Sequence, residues 1–140
     1  MKILIDTDIF LDVILVRQPN YEDSAKVWSL VSEKKMNGFI SAISINNLHY
    51  ILLKQRDLKS VGELIDQLLV EFDVVPLTGR IIREARKIEE KDFEDMIQFV
   101  SARKSSCDYI VTRNVKDFPK KEIVSIEPVN FLKTIKGTSE

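Results

Sequence analysis

The sequence has little of what staples, interrupts or polarises a chain. Its one cysteine, Cys107, has no partner, so no intramolecular disulfide framework can form. Cys107 sits just before an apolar run, which predicts a buried and inert thiol. Four glycines and four prolines are spread thinly over 140 residues. No linker rich in proline, glycine or serine divides the chain, and there is no internal repeat or low-complexity stretch. One domain over residues 1–140 is therefore expected. Single cores typically serve roughly 100–150 residues, so this length needs neither disulfides nor a structural metal. No uncharged run approaches the roughly 20 residues needed to cross a bilayer. The first strand meets acid at Asp6, too soon for a signal peptide, and a cytoplasmic location is expected. An excess of one charge is missing too: 21 Lys and Arg against 22 Asp and Glu leave a net −1. No global basic field advertises nucleic acid, and any such contact must rest on local patches.

What is present is alternation. Hydrophobic residues make up 44% and charged residues 31%, the mixture of a globular protein. Short apolar runs alternate with longer amphipathic ones, which predicts βαβ units and a parallel sheet. Lys2 to Ile5 reads as the first strand, ending at Asp6. Residues 9–16 are apolar apart from Asp12, dense enough for a buried helix. From about Asn20 to Met36, Ala25, Trp28 and Val31 recur at three-residue steps and predict an amphipathic helix. Phe39 to Ser41 is a second strand, launching a helix from about Ser44 to Leu53. A helix from about Leu58 to Glu71 gathers Val61, Leu64, Ile65, Leu68 and Leu69 on one face. Asp73 to Leu77 is a third strand, and Ile81, Ala85 and Ile88 mark a helix from about Thr78 to Glu90. Phe93, Met96, Ile97 and Val100 stand at i, i+3, i+4 and i+7 of another, from about Asp92 to Lys104. Tyr109 to Val111 and Ile123 to Ile126 complete about five strands, and Val129 to Ile135 is a closing helix. Trp28, Phe93, Phe99 and Tyr109 are expected to pack in the core.

Acids fall where such a sheet binds ligands, outside the carboxyl ends of its strands. Asp6 and Asp8 follow the first strand. Asn114 and Asp117 follow the fourth, and Asp92 and Asp95 open the helix that feeds it. Carboxylates gathered there would repel, by roughly 4 kcal/mol for two charges about 4 Å apart at a protein surface. A hard cation with oxygen ligands, Mg²⁺ or Mn²⁺, relieves that repulsion. Its waters, made more acidic, are nucleophiles for phosphodiester cleavage. Each acid also has an ordinary structural account. Asp92 fits an N-cap with Asp95 at N3, Asp8 fits a cap for a helix starting near Ile9, and Asp117 fits a turn before Phe118-Pro119. Only Asp6 has no local duty. His49 lies two residues past Asn47, roughly 200° around a helix, which predicts a packing or surface role. Lys34-Lys35 and Lys120-Lys121 read as solvated charges.

Four segments in order carry a resemblance over nearly the whole chain: ILIDTDIFLDVIL, SAISINNLHYIL, FEDMIQFVSA and DYIVTRNVKDF. They resemble the motifs of the PIN-domain family, which includes the VapC-type toxin ribonucleases of VapBC toxin–antitoxin pairs. The resemblance implies a Rossmann-like three-layer α/β/α sandwich with a mostly parallel sheet. It implies a metal-dependent endoribonuclease using Mg²⁺ or Mn²⁺, an RNA substrate, a protein antitoxin and a homodimer. Asp6, Asp95 and Asp117 would be catalytic acids and metal ligands, and Asn114 would complete the metal site directly or through water. Thr112 or Arg113 would contact a substrate phosphate, with Asn47 and Asp8 also on the substrate side. The family's second motif usually carries Glu, and Asn47 stands there with Asn46 beside it. That removes one charge, with Asp8 as a candidate replacement. The alternative function is a catalytically degenerate PIN domain that binds RNA or protein. A haloacid-dehalogenase-like phosphatase also begins Asp-x-Asp, but expects Gly-Thr where Ile9-Phe10 follow.

Overall fold

The computed structural model describes residues 1–89 and 91–138. Strands β1 (Lys2–Ile5), β2 (Asn37–Ser41), β3 (Asp73–Val75), β4 (Tyr109–Val111) and β5 (Val124–Ile126) alternate with helices. The helices are α1 (Thr7–Ile14), α2 (Tyr21–Ser32), α3 (Ala42–Leu52), α4 (Leu58–Glu71), α5 (Gly79–Arg86), α6 (Phe93–Lys104) and α7 (Pro128–Thr138). The expected C-terminal bound of the fifth helix, Glu90, lies outside the described residues. The sheet order is β3-β2-β1-β4-β5, and every neighbouring pair is parallel. The chain therefore starts at the centre, winds outward through β2 and β3, and returns to lay β4 on the other side of β1. The connections leaving β1 and β4 run to opposite sides, which opens a crevice between their carboxyl ends.

Side-chain alternation along β1 feeds two cores. Ile3 and Ile5 belong to one, with Phe10, Trp28, Leu48 and Phe131; Leu4 belongs to the other, with Met96, Phe99 and Ile110. All three β1 residues are fully buried, as a central strand covered on both faces requires. The expected buried helix is α1, whose Ile9, Phe10, Leu11 and Ile14 are inside. Phe10 meets Trp28 and Phe72 edge to face, with centroids 5.2 and 5.1 Å away. Gly38 in β2 allows this side to close. A Cβ there would lie 2.6 Å from Val31 Cγ1 and 2.7 Å from the Phe72 ring.

Local chemistry moves several boundaries. Ser41 accepts a hydrogen bond from the Ile43 amide at 3.3 Å, so α3 starts at Ala42 rather than Ser44. Likewise α1 begins at Thr7, which corrects the reading of Asp8 as its cap: Asp8 lies inside the first turn, and Asp6 occupies the cap position. Phe93 is also corrected, being 44% exposed. It opens α6, and the packing that buries Met96, Ile97 and Val100 begins one turn later. Trp28 and Phe99 are buried, Cys107 is buried as expected, and Tyr109 packs on Phe131 at 5.5 Å. Among the described residues, no helix is long and apolar enough to cross a membrane.

Candidate active site

Asp6 leaves β1 at the crevice, with its amide donating to Val111 O of β4 at 3.0 Å. Its side chain makes no cap bond because other donors hold it. Gln98 Nε2 donates to one carboxylate oxygen at 2.9 Å, and Thr112 Oγ1 donates to the other at 2.7 Å. Behind them the network continues. The Thr112 hydroxyl accepts from the Asn114 amide at 3.0 Å, Ser44 Oγ donates to Gln98 Oε1 at 3.5 Å, and Thr7 Oγ1 donates to Ser44 at 2.7 Å. All of these side chains but Asn114's are buried, so Asp6 is held in one orientation. Burial raises the Asp6 carboxyl above its ordinary pKa and Asp8 adds to the rise, against the two hydrogen bonds.

Beyond Asp6 lies a cleft of about 540 Å³. Asp8 enters it from α1, Asn47 from α3, Glu94 and Asp95 from α6, and Asn114 and Asp117 from the turn after β4. That turn ends in a single 3₁₀ turn, Val115–Asp117. Asp92 both caps α6, accepting from the Asp95 amide at 3.1 Å, and lines the cleft. Capping and cleft-lining therefore coexist for this pair. Asn47 Nδ2 donates to Glu94 Oε1 at 2.8 Å, and Asn114 Nδ2 donates to Asp8 Oδ2 at 3.4 Å. His49 does not line the cleft.

Two residues expected to meet phosphate have partners within the protein. Thr112 is fully buried and donates its hydroxyl to Asp6. Arg113 is engaged: its Nε stands 2.7 Å from Asp12 Oδ2, and a terminal nitrogen stands 3.8 Å from Asp8. Asp12, which the sequence offers only as an interruption of an apolar helix, is the buried partner that fixes Arg113. Burial holds the Asp12 carboxyl up, against the pull of Arg113 and Arg17.

The acids crowd one another. Burial chiefly, then the charges of Asp6, Asp92, Asp117 and Glu94, push Asp95 up from 3.8 to about 7. Burial likewise raises Glu94, with Asp92, Asp6 and Asp8 adding to it, against the Asn47 hydrogen bond. The folded protein thus holds the Asp95 carboxyl at about 7, above its ordinary value of 3.8. Between those values the folded state binds more protons, so this group's contribution to stability is lost as pH rises from about 4 through 7. In chelator, the melting temperature is expected to fall over that window, and Asp95→Asn to flatten the slope. An unchanged slope in that variant would place the titration elsewhere. Among the described residues, no three His, Cys, Asp or Glu side chains are grouped to hold an ion directly.

Sequence reasoning missed Gln98, Glu94 and Ser44. Gln98 had a signal: a polar residue inside the apolar stretch of α6, three positions from Asp95 and so on its face. Glu94 is masked by its neighbour Asp95, and Ser44 by its ordinary place near a helix start.

A doubly wound parallel sheet whose switch point opens into a carboxylate-lined cleft defines a Rossmann-like α/β domain with its site at the β1/β4 crevice. Within that class, this chain belongs to the PIN domain family, whose model matches residues 2–116. The match takes in Asp6, Asn47, Asp95 and Asn114 and stops one residue before Asp117. The chain is 25% identical over 133 residues to Ribonuclease VapC1 of Aquifex aeolicus (strain VF5), covering 90% of this chain and 91% of that one. Its fold is similar to that of VapBC-1 from nontypeable Haemophilus influenzae, with TM-score 0.67 and 14% identity, covering 92% and 99% of the two chains. It is also similar to a toxin–antitoxin complex from Klebsiella pneumoniae, with TM-score 0.66 and 18% identity, covering 89% and 96%.

Proposed function

We propose that the chain is a divalent-metal-dependent endoribonuclease and the toxin of a toxin–antitoxin pair. The observation that carries this reading is the crowded carboxylate cleft at the switch point of a PIN domain, with Asp95 pushed up to about 7 by burial and its neighbours. Similarity to a named ribonuclease over 90% of the chain supports the reaction class.

The donor set is all oxygen, which suits a hard cation such as Mg²⁺ or Mn²⁺. Among the described residues no three such side chains are grouped to hold an ion directly, and Mg²⁺ in particular keeps several of its waters and takes one or two carboxylates. The carboxylates and amides that line the cleft suit a largely hydrated ion. Asp6 and Asp95 would hold it, with Asp117 and Asn114 completing the site directly or through water. Such an ion supplies a more acidic water and neutralises charge on a phosphodiester. The chain's part is orientation. Gln98 and Thr112 fix Asp6, and α6 presents Asp95 at a set angle from the capped first turn. Arg113 stands on Asp8 at the rim, where its fork could pass to a substrate phosphate. Asn47 and Asp8 border the path such a strand would take.

The test is cleavage of a mixed-sequence single-stranded RNA with Mg²⁺ or Mn²⁺ and a chelator control. Metal-dependent products are expected, and their absence over a range of RNAs and metals would replace this reading with the non-cutting binding module. Partner proposals rest on the VapBC and toxin–antitoxin complexes among its structural neighbours. Tyr50 on α3 and Leu58, Leu69 and Val70 on α4 are exposed apolar side chains, 50–87% accessible, consistent with a second copy covering part of these helices. Light scattering is expected to give about twice 16.2 kDa at micromolar concentration, and a mass of one chain throughout would remove the homodimer.

A further inference from the structure

Asn47 occupies the position where the second motif of the family usually carries an acid, which leaves that wall of the cleft one charge short. The structure shows what the amide does there. Asn47 Nδ2 reaches from α3 across to α6 and donates to Glu94 Oε1 at 2.8 Å. One Glu94 oxygen is thereby fixed, and the other is left for the cleft that Glu94 lines with Asp6 and Asp95. We propose that Glu94 supplies the missing negative charge to the bound cation, oriented by Asn47, so that the acid has passed from one wall of the cleft to the facing wall. This rests on the metal-dependent reading above.

The contact itself gives the geometric reason. A carboxylate touching the Asn47 amide occupies nearly the space that a longer acidic side chain at position 47 would reach. The chemistry agrees, because an amide donor favours the ionised form of the carboxylate it touches. An uncharged donor in that place also adds no like charge beside Glu94. The competing account is a plain tie between α3 and α6. The two accounts part on charge. A tie survives Glu94→Gln, since the new carbonyl accepts the same hydrogen bond, whereas a metal site loses a unit of negative charge.

Mn²⁺ binding by the whole chain, read from the electron paramagnetic resonance of the free ion, separates them. The proteins are the parent, Glu94→Gln, the swap Asn47→Glu/Glu94→Gln, and Asp6→Asn as a control. Glu94→Gln is expected to weaken Mn²⁺ by roughly 10–100-fold, the range for residues that tune a metal site. Its melting temperature in chelator should be unchanged or higher, which shows the fold intact. The swap returns the charge from the facing wall and is expected to recover most of the affinity. Parent-like binding by Glu94→Gln, alongside loss in Asp6→Asn, would overturn the inference and leave Glu94 as a tie. A folded swap that recovers nothing would overturn it as well. No saturable binding by the parent would overturn the metal-dependent reading itself, and this inference with it.

Discussion

Asp6→Asn is expected to remove metal-dependent cleavage while leaving the metal-free protein at least as stable as the parent. Asp6 is 5% exposed, so its charge is held out of water at a cost, and burial accordingly raises its pKa. The amide replacement has the same shape and removes that cost. Its carbonyl oxygen can keep the bond from Gln98, and its NH₂ can donate to the Thr112 hydroxyl. What disappears is the one negative charge fixed at the carboxyl end of the central strand. Residues that only support a metal ligand change affinity by roughly 10–100-fold, so loss of the central acid should exceed about a hundredfold in cleavage. The thermal shift on adding Mg²⁺ or Mn²⁺, which reports binding to the folded state, should vanish with it. Two results would contradict this. Cleavage at the parental rate would move the site away from Asp6. A steep fall in metal-free melting temperature would make the carboxylate a structural hub instead.

The largest effect on stability is expected at Arg113→Met. Asp12 is 1% exposed and sits 2.7 Å from the Arg113 guanidinium, with Arg17 only at 3.9 Å. Removing Arg113 strands a buried carboxylate, and breaking a buried pair costs about 3–5 kcal/mol. Because the Arg113 side chain is itself about a third exposed, solvent reaches one end of the pair and the lower figure applies. A loss of on the order of 3 kcal/mol corresponds to roughly 10 °C in melting temperature for a chain of this size. Asp12→Leu combined with Arg113→Met should restore most of it, since an apolar pair of similar volume carries no desolvation cost. If the single variant melts like the parent, Arg113 is free to serve substrate and the ion pair holds nothing together. If the restored double variant remains slow on RNA, the guanidinium has a second duty at phosphate.

Much of this fold could be read from periodicity. The apolar run of β1, the three- and four-residue spacing in α4 and α6, and the alternation of strand and helix predicted a parallel α/β sheet, which is present. The acids at strand ends were legible for a topological reason, since ligand sites of such sheets lie at carboxyl ends. Periodicity does not carry the caps. Ser41 recruits a backbone amide and starts α3 early, and Asp6 takes the cap position without capping. Nor did the pattern predict that Phe93 would lie open while Gln98, in the same helix, is sealed inside.

The place of each strand in the sheet came from the tertiary structure, but the sequence by itself determined the elements, the parallel α/β class, and most of the acids that line the cleft. These follow from short-range chemistry: hydrophobic spacing, strand ends and a few turns. Only the tertiary structure decided what each acid touches. Asp6 and Gln98 meet although 92 residues separate them, Asp6 and Thr112 across 106, and Asn47 and Glu94 across 47. No local pattern encodes such pairings, because they arise where the sheet order β3-β2-β1-β4-β5 brings distant segments to one edge. The same packing brings the Thr112 hydroxyl onto Asp6. It also turned Asp12 from a blemish in an apolar helix into the anchor of Arg113. In a low-dielectric interior a carboxylate's behaviour is set by its neighbours within a few ångströms, and sequence order does not supply those distances.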